Sequence, residues 1–286
     1  RWVGHWHSDV MVNPNRVLLN LAYRFYEPLE RRMLRGAQAI IATSPAYLRD
    51  SKTLWPWRGK TVAIPLGLQE LPGSREALAL PEVSGQPVPA LAVGIESARP
   101  FRVLSIGRLA HYKGFDTLIA AVAQCPGMVL EIVGNGELHE ALTQQIAQLP
   151  QADASARIRL LGAVDEAEKL AALARCDLFA LASTEKSEAF GLVVLEAMQF
   201  GKPCLVSQLP GSGLPWVVES SQAGQTAPVG DVPAWRDALL AMERAWRLRD
   251  QVGDAGGQST WQQWSSQAHT AAHGYFAMST NAQSVQ

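Results

Sequence analysis

The sequence contains no uninterrupted apolar run approaching the ~18 residues that a membrane-spanning helix needs, so no such span is expected. It has only three cysteines, Cys125, Cys176 and Cys204, and their spacing fits neither a disulfide framework nor a zinc site. All three stand in apolar surroundings, which predicts buried free thiols. The net charge of −1 provides no global attraction to nucleic acid.

The rest of the composition is typical of a folded globular protein. Hydrophobic residues make up 48% and charged residues 18% of the 286 residues, enough for one large domain or two ordinary ones. Short apolar segments alternate with helical patterns, which predicts an α/β fold of βαβ units with doubly wound parallel sheets. The predicted strands are Trp2–Trp6, Gln38–Ala42, Thr61–Ile64, Phe101–Ile106, Val129–Val133, Ile158–Leu161, Leu178–Ala182 and Pro203–Ser207. The predicted helices are Arg16–Arg35, Phe115–Gln124, Leu138–Gln148, Glu166–Arg175 and Leu192–Phe200.

A segment rich in proline and glycine, residues 71–100, interrupts this alternation and predicts a linker or surface insertion. Residues 101–255 contain five predicted strands and are expected to form a complete doubly wound domain. Residues 1–70 contain only three with one long helix, which is little for a domain of this class, so we expect an incomplete domain whose first half is absent. The sequence begins with Arg rather than Met, in line with this expectation. Within residues 256–286, the apolar spacing over Trp261–Phe276 predicts a final helix with one apolar face.

Two cations share the loop that follows the predicted strand Phe101–Ile106. Arg108 and Lys113 stand between Gly107 and Gly114, where glycine permits a close approach of the backbone to a ligand. Ligands of open α/β sheets bind at the carboxyl ends of strands, and a guanidinium beside an ammonium suits a diphosphate. The loop lacks the Walker pattern, and the alternative that both charges are merely solvated stays open.

Two carboxylates flank the start of the predicted helix after Leu178–Ala182. Glu188 falls in the loop and Glu196 one to two turns into the helix, while the amides of Phe190, Gly191 and Leu192 would be its unpaired first donors. Such an arrangement can hold sugar hydroxyls, a phosphate and a ribose in a row. The alternative is that the helix dipole favours Glu188 and that Glu196 is unrelated to it.

Together these residues resemble the donor domain of retaining glycosyltransferase family four, the glycosyl transferases group 1. The resemblance is carried by Gly107-Arg108…Lys113-Gly114 and by Glu188…Glu196 within EAFGLVVLEAMQFGKPCLVS. Less specific matches extend it over nearly the whole chain. They are His5–Asp9, Ala39–Ser44, Ile64–Gly67, Ile132–Gly136, Leu161–Val164 and Gly211–Val217, the last resembling members that build bacterial surface polysaccharides such as lipopolysaccharide. The strand and glycine-rich loop with which the family's chain begins are not found in this sequence.

The resemblance implies a GT-B fold of two Rossmann-like domains. Residues 1–70 would be part of the acceptor-binding domain, 101–255 the nucleotide-sugar donor-binding domain, and 256–286 a crossover helix and tail. The catalytic residues implied are His7, Arg108, Lys113 and Glu188. The donor-binding residues implied are Gly107, Arg108, Lys113, Gly134, Val164, Glu188, Ala189, Phe190, Gly191, Leu192 and Glu196.

The resemblance implies a role for each of these residues. Arg108 and Lys113 would bind the donor diphosphate and stabilise the leaving group, Glu188 would hold the transferred sugar, and Glu196 the ribose. His7 matches a histidine that reaches from the acceptor domain toward the donor sugar. The Gly134-Asn135-Gly136 run does not complete G-x-G-x-x-G, so it predicts a tight strand–helix turn and not a dinucleotide fingerprint.

The activity implied is a retaining transfer of a hexose from a nucleoside-diphosphate sugar to a glycan or lipid-linked sugar. No metal or other cofactor is expected, in agreement with the lack of D-x-D in the sequence, and no nucleic-acid partner is expected. The enzyme would be cytoplasmic, with the basic, aromatic helix Arg16–Arg35 either lying on the inner membrane face or packed as an ordinary helix. The competing function is a catalytically silent nucleotide-sugar-binding remnant. A phosphorylase would need pyridoxal phosphate on a lysine, and no lysine stands in a recognisable setting.

Overall fold

The computed structural model describes residues 2–9, 17–76, 99–150, 153–186, 188, 190–250 and 258–278. The strands of these residues form two sheets in which every pair is parallel. The first sheet comprises β1 Val3–Trp6, β2 Ala39–Ala42 and β3 Thr61–Ala63, in that order. The second comprises β4 Phe101–Ile106, β5 Met128–Val133, β6 Ile158–Gly162, β7 Leu178–Leu181, β8 Cys204–Ser207 and β9 Gly224–Ala227.

The helices of the described residues are α1 Val17–Gly36, α2 Pro45–Asp50, α3 Phe115–Ala123, α4 His139–Ala147, α5 Ala154–Arg157, α6 Glu166–Arg175, α7 Leu192–Gln199, α8 Gly213–Ser220, α9 Val232–Arg247 and α10 Thr260–His273. Helices α1 to α8 connect strands within the two sheets, and α9 and α10 follow the last strand. Short 3-10 helices cover Trp55–Lys60 and His111–Lys113. The predicted α/β fold is confirmed.

The six-stranded sheet has the order β6-β5-β4-β7-β8-β9. From β4 the sheet extends through β5 to β6 on one side. The chain then returns to β4 and adds β7, β8 and β9 on the other side. The helices that follow β4 and β7 lie on opposite faces of the sheet, and the crevice in which ligands of such sheets bind lies outside the carboxyl edge at this switch point. The candidate site occupies this position.

Apolar side chains cover both faces of the six-stranded sheet, as expected for parallel strands. All residues of β7 and β8 are buried. On one face α3 and α9 contribute Leu118 and Leu239, and on the other face α7 and α8 contribute Leu195 and Val217. Helices on both faces hold the strand ends rigidly, which is what a site built on the connecting loops requires.

All eight predicted strands are present, with bounds that differ by at most one residue. The expectation of five strands after residue 100 was wrong, because β9 forms the sixth. Its sequence Gly-Gln-Thr-Ala has no apolar run, and its place at the edge depends on backbone pairing with β8. The helices α8 and α9 also lie outside the predicted set.

The three-stranded sheet with α1 and α2, which we call the N-terminal unit, has a small core of its own. In this core Leu34, Ile40, Tyr47 and Leu54 are buried. Helix α1 matches the predicted helix Arg16–Arg35, of which Arg16 lies outside the described residues. Most of the predicted linker, residues 77–98, also lies outside them, so the proposed domain division stays a prediction.

The last helix packs along the six-stranded unit and returns to the segment after β3. Its buried residues Trp261, Ala268 and Ala272 confirm the predicted apolar face, while Tyr275 is exposed and the helix ends before it. Beyond the helix, the Leu68 amide donates to the Phe276 carbonyl at 2.9 Å.

Two further expectations concern buried thiols and membrane spans. All three cysteines are buried and free, as predicted, and burial raises the pKa of Cys176 to about 12. Over the part of the chain that the structure describes, no helix combines the length and apolarity that crossing a membrane requires.

Candidate functional site

The loops after β4 and β7 touch at the switch point. The Thr184 amide donates to the Tyr112 carbonyl at 2.7 Å. Gly114 has a φ of 63°, and a Cβ on this residue would overlap the carbonyl oxygen of Ala182. Glycine is therefore required there both for the left-handed backbone and for the close contact between the two loops.

Lys113 and Glu188 meet in the crevice between these loops. The Lys113 ammonium forms an ion pair with Oε2 of Glu188, and their side chains are only 10% and 11% exposed. Ser183 Oγ donates to the same carboxylate at 3.4 Å, and Ser212 Oγ donates to the Glu188 carbonyl at 2.6 Å. The alternative of a solvated lysine is therefore wrong for Lys113.

Arg108 stands at the exposed rim of the same crevice. Its side chain is 71% exposed and pairs with Glu137 at 3.1 Å. A backbone hydrogen bond, and then the charge of Arg108, hold the pKa of Glu137 below its ordinary value. In contrast to Lys113, Arg108 fits the description of a solvated charge, and an anion entering the crevice would compete with Glu137 for it.

The amino terminus of α7 faces the same edge of the sheet. Gly191 is the N-cap with a φ of 75°, and the helix begins at Leu192, whose side chain is 44% exposed. First-turn amides have no acceptor within a helix, so they can donate to an anion. Phe190 packs against Trp216 and Phe276, which leaves only its backbone for a ligand. Ala189 lies outside the described residues.

Glu196 lies further along α7 and has a partner that sequence reasoning missed. Its Oε2 is 3.1 Å from Nζ of Lys169, which is also 3.1 Å from Oε1 of Glu166. Burial alone would lower the pKa of Lys169, but the hydrogen bonds and charges of the two glutamates outweigh it and raise this pKa. The pair Glu166–Lys169 has helical spacing, whereas nothing local in the sequence indicates the contact with Glu196.

Gly107, Gly134 and Val164 line the loops that follow three neighbouring strands. Gly134 has a φ of 136°, and a Cβ there would overlap the carbonyl oxygen of Gly107. A Cβ on Gly107 would in turn stand 3.2 Å from Cε of Lys113. The tight turn predicted for Gly134-Asn135-Gly136 is present, and Val164 is half-buried against the core.

His7 lies after β1, at the carboxyl edge of the N-terminal sheet. It is exposed, and its ring centroid is 4.3 Å from that of His5. Burial, and then the charge of His7, lower the pKa of His5. The described contacts do not bring His7 to Lys113 or Glu188.

A small cleft separates the N-terminal unit from the loop that carries Glu188. It is partly open to solvent, and an ion pair between Asp50 and Lys186 lines it. Asp9 lines one wall and accepts hydrogen bonds from Tyr47 at 2.7 Å and from Ser51 at 2.8 Å. Within the described ranges no three His, Cys, Asp or Glu side chains cluster as metal ligands.

The arrangement combines a buried ammonium, a rim guanidinium, a helix amino terminus and two carboxylates along one sheet edge, which suits an anion carrying hydroxyl-rich groups. The known proteins with similar sequences include two glycosyltransferases. The chain is 32% identical over 237 residues to D-rhamnosyltransferase WbpZ of Pseudomonas aeruginosa, covering 82% of this chain and 56% of that protein. It is 26% identical over 239 residues to O-antigen chain mannosyltransferase C of Escherichia coli, covering 84% and 58%. The chain thus spans little more than half the length of these relatives.

The fold is shared with solved GT-B glycosyltransferases. The structure of Anabaena Alr3699/HepE in complex with UDP superposes with a TM-score of 0.69 at 25% identity, over 99% of this chain and 70% of that one. The model of the family described as glycosyl transferases group 1 matches residues 94–259, which contain every strand of the six-stranded sheet. The chain therefore belongs to the glycosyl transferases group 1 family.

Proposed function

We propose that this chain forms part of a retaining, metal-independent glycosyltransferase that moves a hexose from a nucleoside-diphosphate sugar to a glycan or lipid-linked sugar. The observation that carries the proposal is the buried ion pair between Lys113 and Glu188 at the switch point, beside the amino terminus of α7. The relatives named as a D-rhamnosyltransferase and an O-antigen chain mannosyltransferase support the class of reaction, and the O-antigen chain in the second name supports a glycan acceptor.

The donor would lie along the sheet edge with its diphosphate between the cations. Lys113 and Arg108 would neutralise the phosphate charges, with help from the first amides of α7. Glu188 would accept hydrogen bonds from hydroxyls of the transferred sugar, and Glu196 from the ribose.

In the transfer, the bond between the sugar C1 and the phosphate oxygen breaks as a bond from C1 to the acceptor oxygen forms on the same face. The acceptor proton passes to the departing diphosphate, so charge and atoms balance without a protein base. Stabilisation of the leaving group by Lys113 and Arg108 is then the main catalytic contribution of this chain. His7 would act from the acceptor side once the two units close.

The first experiment is a thermal-shift panel with UDP, GDP, ADP and dTDP, each alone and as a sugar conjugate. A ligand that binds only the native state raises the melting temperature, by an amount that depends on its concentration relative to Kd. We expect one base to stand out, and we expect Glu196→Ala to remove its effect. The structure in complex with UDP found for the Anabaena relative makes UDP the first ligand to try.

Two outcomes separate the proposal from its competitor. Nucleotide binding together with sugar transfer, by this chain or by a longer polypeptide that contains it, supports the enzyme. Nucleotide binding without transfer by either supports the silent remnant. A panel without any shift, or shifts that persist in Arg108→Ala, Lys113→Ala and Glu196→Ala, contradicts the site assignment itself.

We also propose peripheral contact with an anionic membrane surface through α1. Four large apolar residues, Leu21, Phe25, Leu29 and Met33, repeat at every fourth position and are between 48% and 76% exposed. Exposed arginines flank this apolar stripe, a combination suited to the interface of an anionic bilayer. Binding to lipid vesicles is the measurement that tests it.

A further inference from the structure

Lys169 occupies a place that an ordinary surface lysine does not. Its side chain is 19% exposed, and its ammonium bridges Glu166 on its own helix to Glu196 on α7. An exposed i,i+3 pair on a single helix would contribute little, because solvent screens it. The bridge to Glu196 instead joins two helices at the edge of the sheet where the loops after β4, β6 and β7 end.

The start of α6 is held firmly, which keeps Lys169 in place. Asp165 is the N-cap, and a capping box joins it to Glu168: the Glu168 amide donates to Asp165 at 2.8 Å, and the Asp165 amide donates to Glu168 at 3.1 Å. Lys169 follows directly, one turn into the helix. Its reach toward α7 is therefore set by backbone geometry and not by a flexible loop.

The contact also orients the Glu196 carboxylate. Among the described residues, the ion pair of Glu196 uses Oε2 alone, and a carboxylate has further acceptor positions on its other oxygen. The Glu196 side chain is only 18% exposed, so without a counter-ion it would be an uncompensated charge and would tend to turn toward solvent. With Lys169 in place the carboxylate is held through Oε2 and keeps its other oxygen available to accept from hydroxyls.

We propose that Lys169 is a positioning residue that holds Glu196 ready for the ribose hydroxyls, so that it makes the site selective for ribonucleoside over 2′-deoxyribonucleoside diphosphates. This inference rests on the proposed donor site and adds to it the residue that decides the sugar of the nucleotide. Lys169 acts through Glu196 and not on the reacting atoms. A 2′-deoxynucleotide lacks one of the donors that the oriented carboxylate would accept from, and the buried oxygen would remain unpaired.

The test compares titration calorimetry of UDP and 2′-deoxy-UDP, or of GDP and 2′-deoxy-GDP if guanine is preferred, on the wild type and on Lys169→Met. We expect the wild type to favour the ribonucleotide by roughly tenfold or more, since one hydrogen bond to a charged group is at stake. In Lys169→Met the affinity for the ribonucleotide should fall by about this factor, and the ratio between the two nucleotides should approach one. Inorganic pyrophosphate should bind both proteins equally.

Two further variants separate positioning from simple loss of stability. Lys169→Arg keeps the charge and donors and should retain most of the selectivity. Lys202→Met removes another lysine that contacts α6, where its ammonium donates to the Ala174 carbonyl at 2.7 Å, and should leave the selectivity unchanged.

Equal selectivity in the wild type and in Lys169→Met overturns the inference and leaves the donor site intact. A wild type that binds UDP, GDP, ADP and dTDP equally poorly overturns the proposed function, and this inference with it. A lower melting temperature of Lys169→Met with an unchanged ratio assigns Lys169 a structural role only and overturns the inference.

Discussion

Lys113 and Glu188 hold opposite charges in a crevice with little exposure to water, and each is the other's counter-ion. Removing one member of such a pair leaves the other charge uncompensated, which is costly until a new partner arrives. A diphosphate is a suitable new partner for Lys113. The pair therefore competes with the proposed donor for the same ammonium.

This competition leads to a prediction in which binding and catalysis change in opposite directions. Glu188→Gln should bind the preferred nucleoside diphosphate more tightly, by about three- to tenfold, because Lys113 no longer has an internal anion. Sugar transfer should fall by roughly one to two orders of magnitude, since the hydroxyls of the sugar lose a charged acceptor. Calorimetry with UDP and a transfer assay measure the two effects separately.

Glu137→Gln is the matched control, because it removes the carboxylate that forms an exposed ion pair with Arg108. Its effect on nucleotide affinity should be small, since solvent already screens that pair. Weaker nucleotide binding in Glu188→Gln than in the wild type would contradict the competition.

At the level of single residues, the sequence was sufficient to propose which side chains form the donor site, and that assignment stays a prediction. The two cations after β4 and the two carboxylates around α7 indicated their chemistry through type and spacing. The pairing of Lys113 with Glu188 could not be predicted, because the two are 75 residues apart and meet only through the sheet order. Lys169 was missed for the same reason, since its contact crosses from one helix to another.

At the level of secondary-structure elements, α10 contacts the segment that follows β3. His269 lies on this helix with Nε2 3.2 Å from the Ser74 carbonyl, and its ring is 4.2 Å from that of His273. Burial, and then the charge of His273, lower the pKa of His269. Arg75 lowers this pKa further, while the Ser74 hydrogen bond and Glu70 raise it without reversing the shift.

The shift predicts a loss of stability in mild acid. A histidine with a folded pKa below its unfolded value stabilises the fold fully above about pH 6.5, and this stability is lost as the pH falls. The melting temperature of the wild type should therefore drop between about pH 7.5 and about pH 5. In His269→Gln, which keeps a side-chain donor, the drop should be smaller.

His139→Gln serves as the comparison, because His139 is exposed at the start of α4. Its melting temperature should change with pH as that of the wild type does. Identical drops in the wild type and in His269→Gln would show that acid acts elsewhere.

Among the elements, those with a buried apolar run were predictable and those held by pairing or capping were not. The strand β9 contains no apolar run and exists because β8 offers an edge. The long helix α9 does bury Trp235, Leu239, Met242 and Trp246 at helical spacing, and Asp231 caps it at 3.0 Å. That pattern is visible in the sequence, so α9 was predictable although it was not predicted.

For the whole molecule, the distribution of exposed apolar surface is uneven. The stripe Leu21, Phe25, Leu29 and Met33 lies on α1 in the N-terminal unit. We predict that the protein binds vesicles containing phosphatidylglycerol more tightly than vesicles of phosphatidylcholine, and that salt weakens the difference. Phe25→Asp should reduce the binding by about tenfold, because a charge replaces a large apolar side chain at the interface.

Leu248→Asp is the matched control, since Leu248 is also exposed and also lies beside arginines. It should bind anionic vesicles nearly as well as the wild type. Absence of binding to either type of vesicle would contradict the membrane proposal and would indicate that the stripe on α1 contacts protein instead.

The return of α10 to the segment after β3 also has a consequence for synthesis on the ribosome. Ser74 and His269 are 195 residues apart in the chain, yet the hydrogen bond between them, like that between Leu68 and Phe276, helps hold the segment that leaves the N-terminal unit. Translation proceeds from the amino terminus, so these contacts cannot form until the six-stranded unit has emerged from the exit tunnel. The N-terminal unit therefore lacks these contacts, folded or partly folded, until α10 has been synthesised. During this interval a chaperone would bind it.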